Sequence, residues 1–147
     1  MVNTRISDLT VSELYSYLNH KNLSFVPPLQ GRLDLLEYAE KLNKYAIHFC
    51  AYSGSRLIGF MGCYFNDPDK EFGYISTSSV VKEYQNMGVA KKILEDVIRY
   101  AVDNGFRRII LEVNNSNIKA RNLYSGYGFS VSKINQEKTE MVLNISH

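Results

Sequence analysis

Residues 80–90 read Val80-Val81-Lys82-Glu83-Tyr84-Gln85-Asn86-Met87-Gly88-Val89-Ala90, and an amphipathic helix follows. A strand runs into a short glycine-bearing turn, and the turn opens the helix. The first-turn N–H groups of a helix have no intrahelical acceptor, and the helix dipole favours negative charge beside them. The turn is therefore built to hold a phosphate. It is not a P-loop, because the G-x-x-x-x-G-K-S/T run is missing. Nor does it carry the G-x-G-x-x-G fingerprint of a dinucleotide site.

The turn fits the pattern Q/R-x-x-G-x-G/A through Gln85, Gly88 and Ala90. A second segment runs Val113-Asn114-Asn115-Ser116-Asn117-Ile118-Lys119-Ala120-Arg121-Asn122-Leu123-Tyr124-Ser125-Gly126-Tyr127-Gly128-Phe129. It fills every fixed position of V-x-x-x-N-x-x-A-x-x-L-Y-x-x-x-G-F. Together, in this order, the two segments resemble the GCN5-related N-acetyltransferases (GNAT), which bind acetyl-coenzyme A. The resemblance is good over residues 45–145 and holds in outline over the first 44. It implies an α/β fold: one GNAT-like domain over residues 1–147, with a mixed, mostly antiparallel sheet flanked by helices.

A chain of 147 residues suits one domain with a substantial core. Its 17 basic and 15 acidic residues give a net charge of +2, which is no footprint for nucleic acid. Asp8 and Glu13 lie where a signal peptide needs an apolar run, and no stretch has the length of a membrane helix. The expected setting is cytoplasmic, without a membrane partner. Cys50 and Cys63 sit in apolar, strand-like runs and read as buried thiols. His20, His48 and His147 are too scattered to suggest a metal site.

Periodicity gives the order β-α-α-β-β-β-α-β-α-β-β. A short strand is expected at 2–6. A helix over 10–20 opens on a Thr10/Glu13 capping box and carries Leu14, Tyr15 and Leu18 on one face. A second helix over 31–44 carries Leu35, Leu36, Ala39 and Leu42. Strands follow at 46–52, 56–65 and 71–81, the first two joined by Ser53-Gly54-Ser55 and the next turn made by Asp67-Pro68-Asp69-Lys70. The third helix, 88–104, has the stripe Val89, Ile93, Leu94, Val97, Ile98, Ala101 and Val102, with Gly105 after its end. Residues 107–113 read as a buried parallel strand. A helix at 116–125 and strands at 128–134 and 139–145 close the chain.

Acetyl transfer to an amine needs a neutral amine, held reactants, a donor for the developing oxyanion and a proton for the leaving thiolate. For the cofactor, the resemblance implies that backbone groups from Asn86 through Met87, Gly88, Val89 and Ala90 to Lys91 face the pyrophosphate, with Gln85 opening the motif. Gly88 has no Cβ and lets the backbone come close. Lys91 and Lys92 read equally well as a solvated helix face. The family's preceding strand, here Ser78, Ser79 and Val80, offers free backbone groups to the pantetheine arm. Asn117, one turn before Ala120, matches a residue that binds that arm or a water; it also reads as a plain helix N-terminal residue.

Tyr124 matches the tyrosine that protonates the thioester sulfur in many relatives, and its other reading is a ring packed in the core. Glu112, twelve residues earlier, sits where the ribosomal-protein acetyltransferases of the family place their base. Its other reading is a structural carboxylate paired with a residue such as Arg108. Histone-type relatives place a glutamate where this chain has Tyr74, which would share one strand face with Ser76, Ser78 and Val80. A tyrosine is a poor base at neutral pH. For the acceptor, Phe25 with Pro27, Pro28 and Leu29 would form a lip, Tyr64, Asn66 and Asp67 would contact a polar group, and Tyr74 and Ser76 would line the site; the lip and contact residues read equally as turn or core. These segments are similar to acetyltransferases found with surface-polysaccharide genes. The implied reaction is direct acetyl transfer from acetyl-CoA to a small-molecule amine such as an amino sugar. Acetylation of a peptide N-terminus and a non-catalytic acyl-CoA sensor stay open, as do monomer and homodimer.

Overall fold

The computed structural model describes residues 1–20 and 34–146. Seven strands form one sheet in the order β1-β2-β3-β4-β5-β7-β6. The strands are β1 (Val2–Ser7), β2 (Ile47–Ser53), β3 (Arg56–Tyr64), β4 (Gly73–Val80), β5 (Arg108–Asn114), β6 (Ser130–Ile134) and β7 (Lys138–Asn144). The helices are α1 (Val11–Leu18), α2 (Leu35–Tyr45), α3 (Val89–Asp103) and α4 (Ile118–Gly126). β1 to β4 are antiparallel neighbours, β4 and β5 run parallel, and β7 lies between β5 and β6 in antiparallel pairs. This is the expected α/β order. Among the described residues no helix is long and apolar enough to cross a membrane.

The two sheet faces take different helices. A Cβ at Gly59 would lie 2.9 Å from Ile93 of α3, and one at Gly62 would lie 2.8 Å from Leu42 of α2. Positions three apart on a strand face opposite ways, so α3 covers one face and α2, packed with α1, covers the other. Buried His48 ties the second layer together. Its Nδ1 accepts from Leu9 N–H at 2.9 Å, so Nε2 carries the proton and donates to the Leu42 carbonyl at 2.9 Å.

Helix starts follow their caps. The Thr10/Glu13 capping box forms, with bonds of 3.1 and 3.0 Å. α2 begins at Leu35, where Asp34 caps it by accepting from Leu36 and Glu37 N–H, and residues 31–33 of the expected helix lie outside the described residues. The inward faces differ by one position from expectation. Tyr17, not Tyr15, is buried on α1; Tyr38 is buried on α2 while Leu36 is exposed. On α3 Val89, Ile93, Leu94, Val97 and Ala101 are buried, Ile98 is half-buried, and Val102 turns out to solvent. β5 is not buried on both faces. Ile109, Leu111 and Val113 are buried, and the alternate residues, Glu112 among them, are half-exposed.

β4 departs from a regular strand at two places. Gly62 pairs with Thr77 but Cys63 pairs with Ile75, so Ser76 is an extra residue in the ladder. The alternation that would put Tyr74, Ser76, Ser78 and Val80 on one face is broken there. At the start of the strand, Gly73 leaves room for the Phe65 ring, which stacks against Phe106 and Tyr100 at centroid distances of 4.9 Å each. A Cβ at Gly73 would lie 2.1 Å from Phe65 Cε1. Gly73→Ala should therefore destabilise the protein by about 1–3 kcal/mol, the scale of overpacking a core. Urea unfolding checks this, and an unchanged midpoint would mean that the aromatic cluster gives way freely.

Candidate active site

β4 and β5 pair only from Gly73–Ile75 to Ile109–Leu111. Beyond that point they splay, and alternate backbone groups of Ser76–Val80 have no strand on the β5 side. The chain then makes a 3-10 turn at Lys82–Tyr84. Val81 N–H donates to the Ile58 carbonyl at 2.8 Å, and Gln85 Nε2 donates back to the Val80 carbonyl at 3.0 Å. Asn86 and Gly88 both have positive φ, 65° and 79°. The αL conformation at Gly88 is one that glycine adopts without strain. Nothing lies within 4 Å of where its Cβ would be.

α3 starts directly after Gly88 with no side-chain cap and no acidic residue in its first turn. Its first intrahelical bond runs from Lys92 N–H to the Gly88 carbonyl. The N–H groups of Val89, Ala90 and Lys91 are left open by helix geometry, and the dipole adds positive potential there. Lys119 Nζ on α4 donates to Asn86 Oδ1 and bridges the turn to the next element.

Splay and open helix end meet in one cleft of about 550 Å³. Of the residues expected at the cofactor, Ser78, Ser79, Val80, Gln85, Asn86 and Gly88 line it. So do Val89, Ala90, Lys91, Asn117, Ala120 and Tyr124. Met87 does not; its side chain is 65% exposed. Tyr84, Lys119, Asn122 and Leu123 also line the cleft and were not expected. Leu123 had a signal, since it is the fixed leucine before Tyr124. The Lys119 bridge had none, because it depends on where α4 lands. Asn117 fits both of its readings: it faces the cleft, and its Oδ1 caps α4 by accepting from Ala120 N–H at 3.1 Å.

Tyr124 is 2% exposed and meets Phe129 edge-on at 5.5 Å. Burial pushes its phenol up to about 12, against a smaller opposing effect from the neighbouring Ser78 hydroxyl. At neutral pH it holds its proton. Tyr17 reaches the same strand from α1, its hydroxyl 3.0 Å from Ser79 Oγ.

Farther down β4, Tyr74 Oη donates to Glu112 Oε1 at 3.3 Å. Burial raises the Tyr74 phenol to about 12, and the Glu112 charge and hydrogen bond add to it. Tyr74 is a donor there and not a base. Arg108 is not the partner of Glu112; its guanidinium lies 3.8 Å from Glu71. Glu112 instead faces Glu140, its cross-strand neighbour on β7. Tyr64, Asn66 and Tyr74 line a second groove of about 330 Å³ with Lys41, Tyr45 and Phe72. Ser76 is not in it; its Oγ bonds Tyr38 Oη at 2.6 Å. Phe25, with Pro27, Pro28 and Leu29, lies outside the described residues. Both cysteines are buried, which pushes the Cys50 thiol up to about 11 and raises Cys63 as well.

A seven-stranded sheet splayed beside an uncapped helix start is the architecture of an acetyl-CoA-type acyltransferase. The model of the Acetyltransferase (GNAT) family matches residues 12–129, and the chain belongs to that family. It is 30% identical over 86 residues to N-alpha-acetyltransferase MAK3 of Arabidopsis thaliana, covering 58% of this chain and 45% of that one. It is 30% identical over 106 residues to N-alpha-acetyltransferase 30 of Schizosaccharomyces pombe, covering 65% and 70%. The chain spans about half the length of most curated relatives it matches. Its fold is similar to the crystal structure of the ribosomal-protein-S18-alanine N-acetyltransferase from Escherichia coli, with TM-score 0.81, 20% identity, and 99% and 96% of the two chains covered. It is also similar to a GNAT family acetyltransferase from Elizabethkingia anophelis with acetyl-CoA bound, with TM-score 0.66, 19% identity, and 86% and 100% covered.

The buried phenols carry a pH signature. Tyr74 and Tyr124 titrate near 12 folded against 10.0 for the free side chain. A raised folded pKa adds stability that is complete below pH 10 and is lost as pH climbs from 10 to 12. The melting temperature should fall across that window, and Tyr124→Phe should make the fall shallower. Equal slopes for the two proteins would place the Tyr124 hydroxyl in water.

Proposed function

We propose that this chain is a cytoplasmic N-acetyltransferase that moves the acetyl group of acetyl-CoA to a primary amine of a small molecule within one ternary complex. One observation carries the reading: a single cleft joins an open helix N-terminus to a buried, protonated tyrosine. The donor set fits the co-substrate. The N–H groups of Val89, Ala90 and Lys91 suit its pyrophosphate, helped by the Cβ-free surface of Gly88. The unpaired edge of Ser78, Ser79 and Val80, with Asn117, suits the pantetheine arm. Acetyl-CoA supplies the activated acyl carbon and a thiolate leaving group.

The chain's own groups then have defined tasks. Holding amine and thioester together in one ternary complex removes much of the entropic barrier. Glu112 takes the proton of the acceptor ammonium, directly or through a water, and Tyr74 orients the carboxylate by its hydrogen bond. The amine nitrogen bonds to the acyl carbon as the carbon–sulfur bond breaks. Tyr124 gives its hydroxyl proton to the departing sulfur, the new amide nitrogen sheds its extra proton to solvent, and Tyr124 and Glu112 then exchange their protons with solvent to reset the site. No acyl-enzyme is needed, and the buried thiols of Cys50 and Cys63 are in the wrong form to make one. An amino sugar or sugar nucleotide matches the aromatic, polar groove at Tyr64, Asn66 and Tyr74. A second reading, transfer to a peptide N-terminus, draws support from the N-alpha-acetyltransferases among the relatives.

Three variants test the reading. Calorimetry on Gly88→Val should show acetyl-CoA binding at least tenfold weaker, with a positive-φ strain cost of about 1–3 kcal/mol in stability. An unchanged dissociation constant would move the phosphate elsewhere. Tyr124→Phe keeps the ring and removes the proton, so kcat should fall about 10²-fold or more, with kcat/KM falling alike. Glu112→Gln should remove the acidic limb of the pH–rate profile. Near-normal turnover by Tyr124→Phe would reduce the tyrosine to packing.

A further inference from the structure

The groove beside β4 carries a charge pattern that acetyl transfer alone does not require. Its walls are Tyr45, Tyr64, Phe72 and Tyr74, and its polar members are Lys41 and Asn66. Lys41 lies on the exposed side of α2, with Nζ 5.5 Å from the centre of the Tyr64 ring. Among the described residues no carboxylate lies within 4.0 Å of it. Tyr64 Oη is buried beside Ser76 yet makes no hydrogen bond among the described residues. A buried hydroxyl without a partner is costly.

Past Tyr74, beyond the residues that line the groove, the charge has the opposite sign. Tyr74 donates to Glu112, and Glu140 stands directly across the ladder from Glu112, where Ser132 Oγ holds it at 2.7 Å. Like charges directly opposed on neighbouring strands repel. Neither carboxylate has a basic partner within 4.0 Å among the described residues. Among the described residues, Lys41 thus stands without an acidic partner on the α2 side of the groove, and two carboxylates without a basic partner stand just past its Tyr74 wall.

We propose that the acceptor is a primary amine that also carries an anionic group, a carboxylate or a phosphate, and that Lys41 is the residue that reads the anion. The inference rests on the N-acetyltransferase reading of the same site. The acceptor's ammonium satisfies Glu112 and Glu140 before it is deprotonated, and its anion satisfies Lys41. A lysine ammonium is a compact point charge with three donors and takes either anion. A neutral analogue leaves Lys41 without its partner, and a site built for a polar contact discriminates against a ligand that lacks it.

Two matched pairs of amines test this by calorimetry with CoA present: β-alanine against β-alaninamide, and O-phosphoethanolamine against ethanolamine. The anionic member of at least one pair should bind at least tenfold more tightly, and the responding pair tells carboxylate from phosphate. Lys41→Met keeps the stem, and as an exposed change it should leave the fold intact. It should remove that preference while the neutral twin stays within twofold; Lys41→Arg should keep most of it. Equal binding within both pairs overturns the proposal. So does a Lys41→Met variant that weakens both members alike, because Lys41 would then act only as part of the wall. Thiol release from acetyl-CoA, measured alongside, separates the two levels. Lys41-dependent binding without thiol release from any amine upholds the groove and removes the N-acetyltransferase reading. Release with neutral amines that ignores Lys41 does the reverse.

Discussion

The site depends on a ladder that stops early. Three residues of β4, Gly73–Ile75, pair with β5, and then the two strands part. A longer ladder would close the sheet and leave no cleft. A shorter one would free the second half of the sheet from the first. The aromatic cluster around Phe65 clamps the paired end, and Gly73 gives the ring its room. The turn after β4 keeps the unpaired end open. Val81 is tied back to Ile58, and Gln85 to Val80, so the turn before α3 cannot fold into the gap.

Within that gap, low dielectric and open donors act together. The helix start brings N–H groups with no partner in the chain, and burial keeps the Tyr124 phenol protonated. One end of the cleft presents open backbone donors and the other a buried phenol that holds its proton. The same burial that keeps the proton on Tyr124 raises the Tyr74 phenol, which stands as a donor to Glu112.

The parts legible in the sequence are those fixed by local backbone chemistry. A strand, a glycine turn and an uncapped helix are contiguous, so Gln85, Gly88 and Ala90 placed the cradle directly. Asn117, Ala120 and Tyr124 followed from the resemblance of residues 113–129 to the family signature. The features that could not be read depend on register. The extra residue at Ser76 breaks the alternation of β4, and no local signal marks it. The meeting of Glu112 and Glu140 needs the pairing of β5 with β7 across 28 positions of chain. Tyr17 and Tyr15 differ by the rotation of α1 on the sheet, which tertiary packing decides. The start of α2 was legible, since an aspartate before Leu35-Leu36 is an N-cap signal, and the broader apolar pattern hid it.

The position of Tyr74 and Ser78 on one strand has an evolutionary consequence. They stand four residues apart, roughly 13 Å at the rise of a β-strand. Tyr74 belongs to the groove and Ser78 to the cleft. Free-energy changes at sites more than about 7–10 Å apart with no shared partners add nearly independently. Substitutions on α2 and the end of β3 can thus retune the groove while the turn at Gly88 stays as it is. In a chain laid out this way, single substitutions can reshape the groove while the cleft beside Gly88 keeps its own lining.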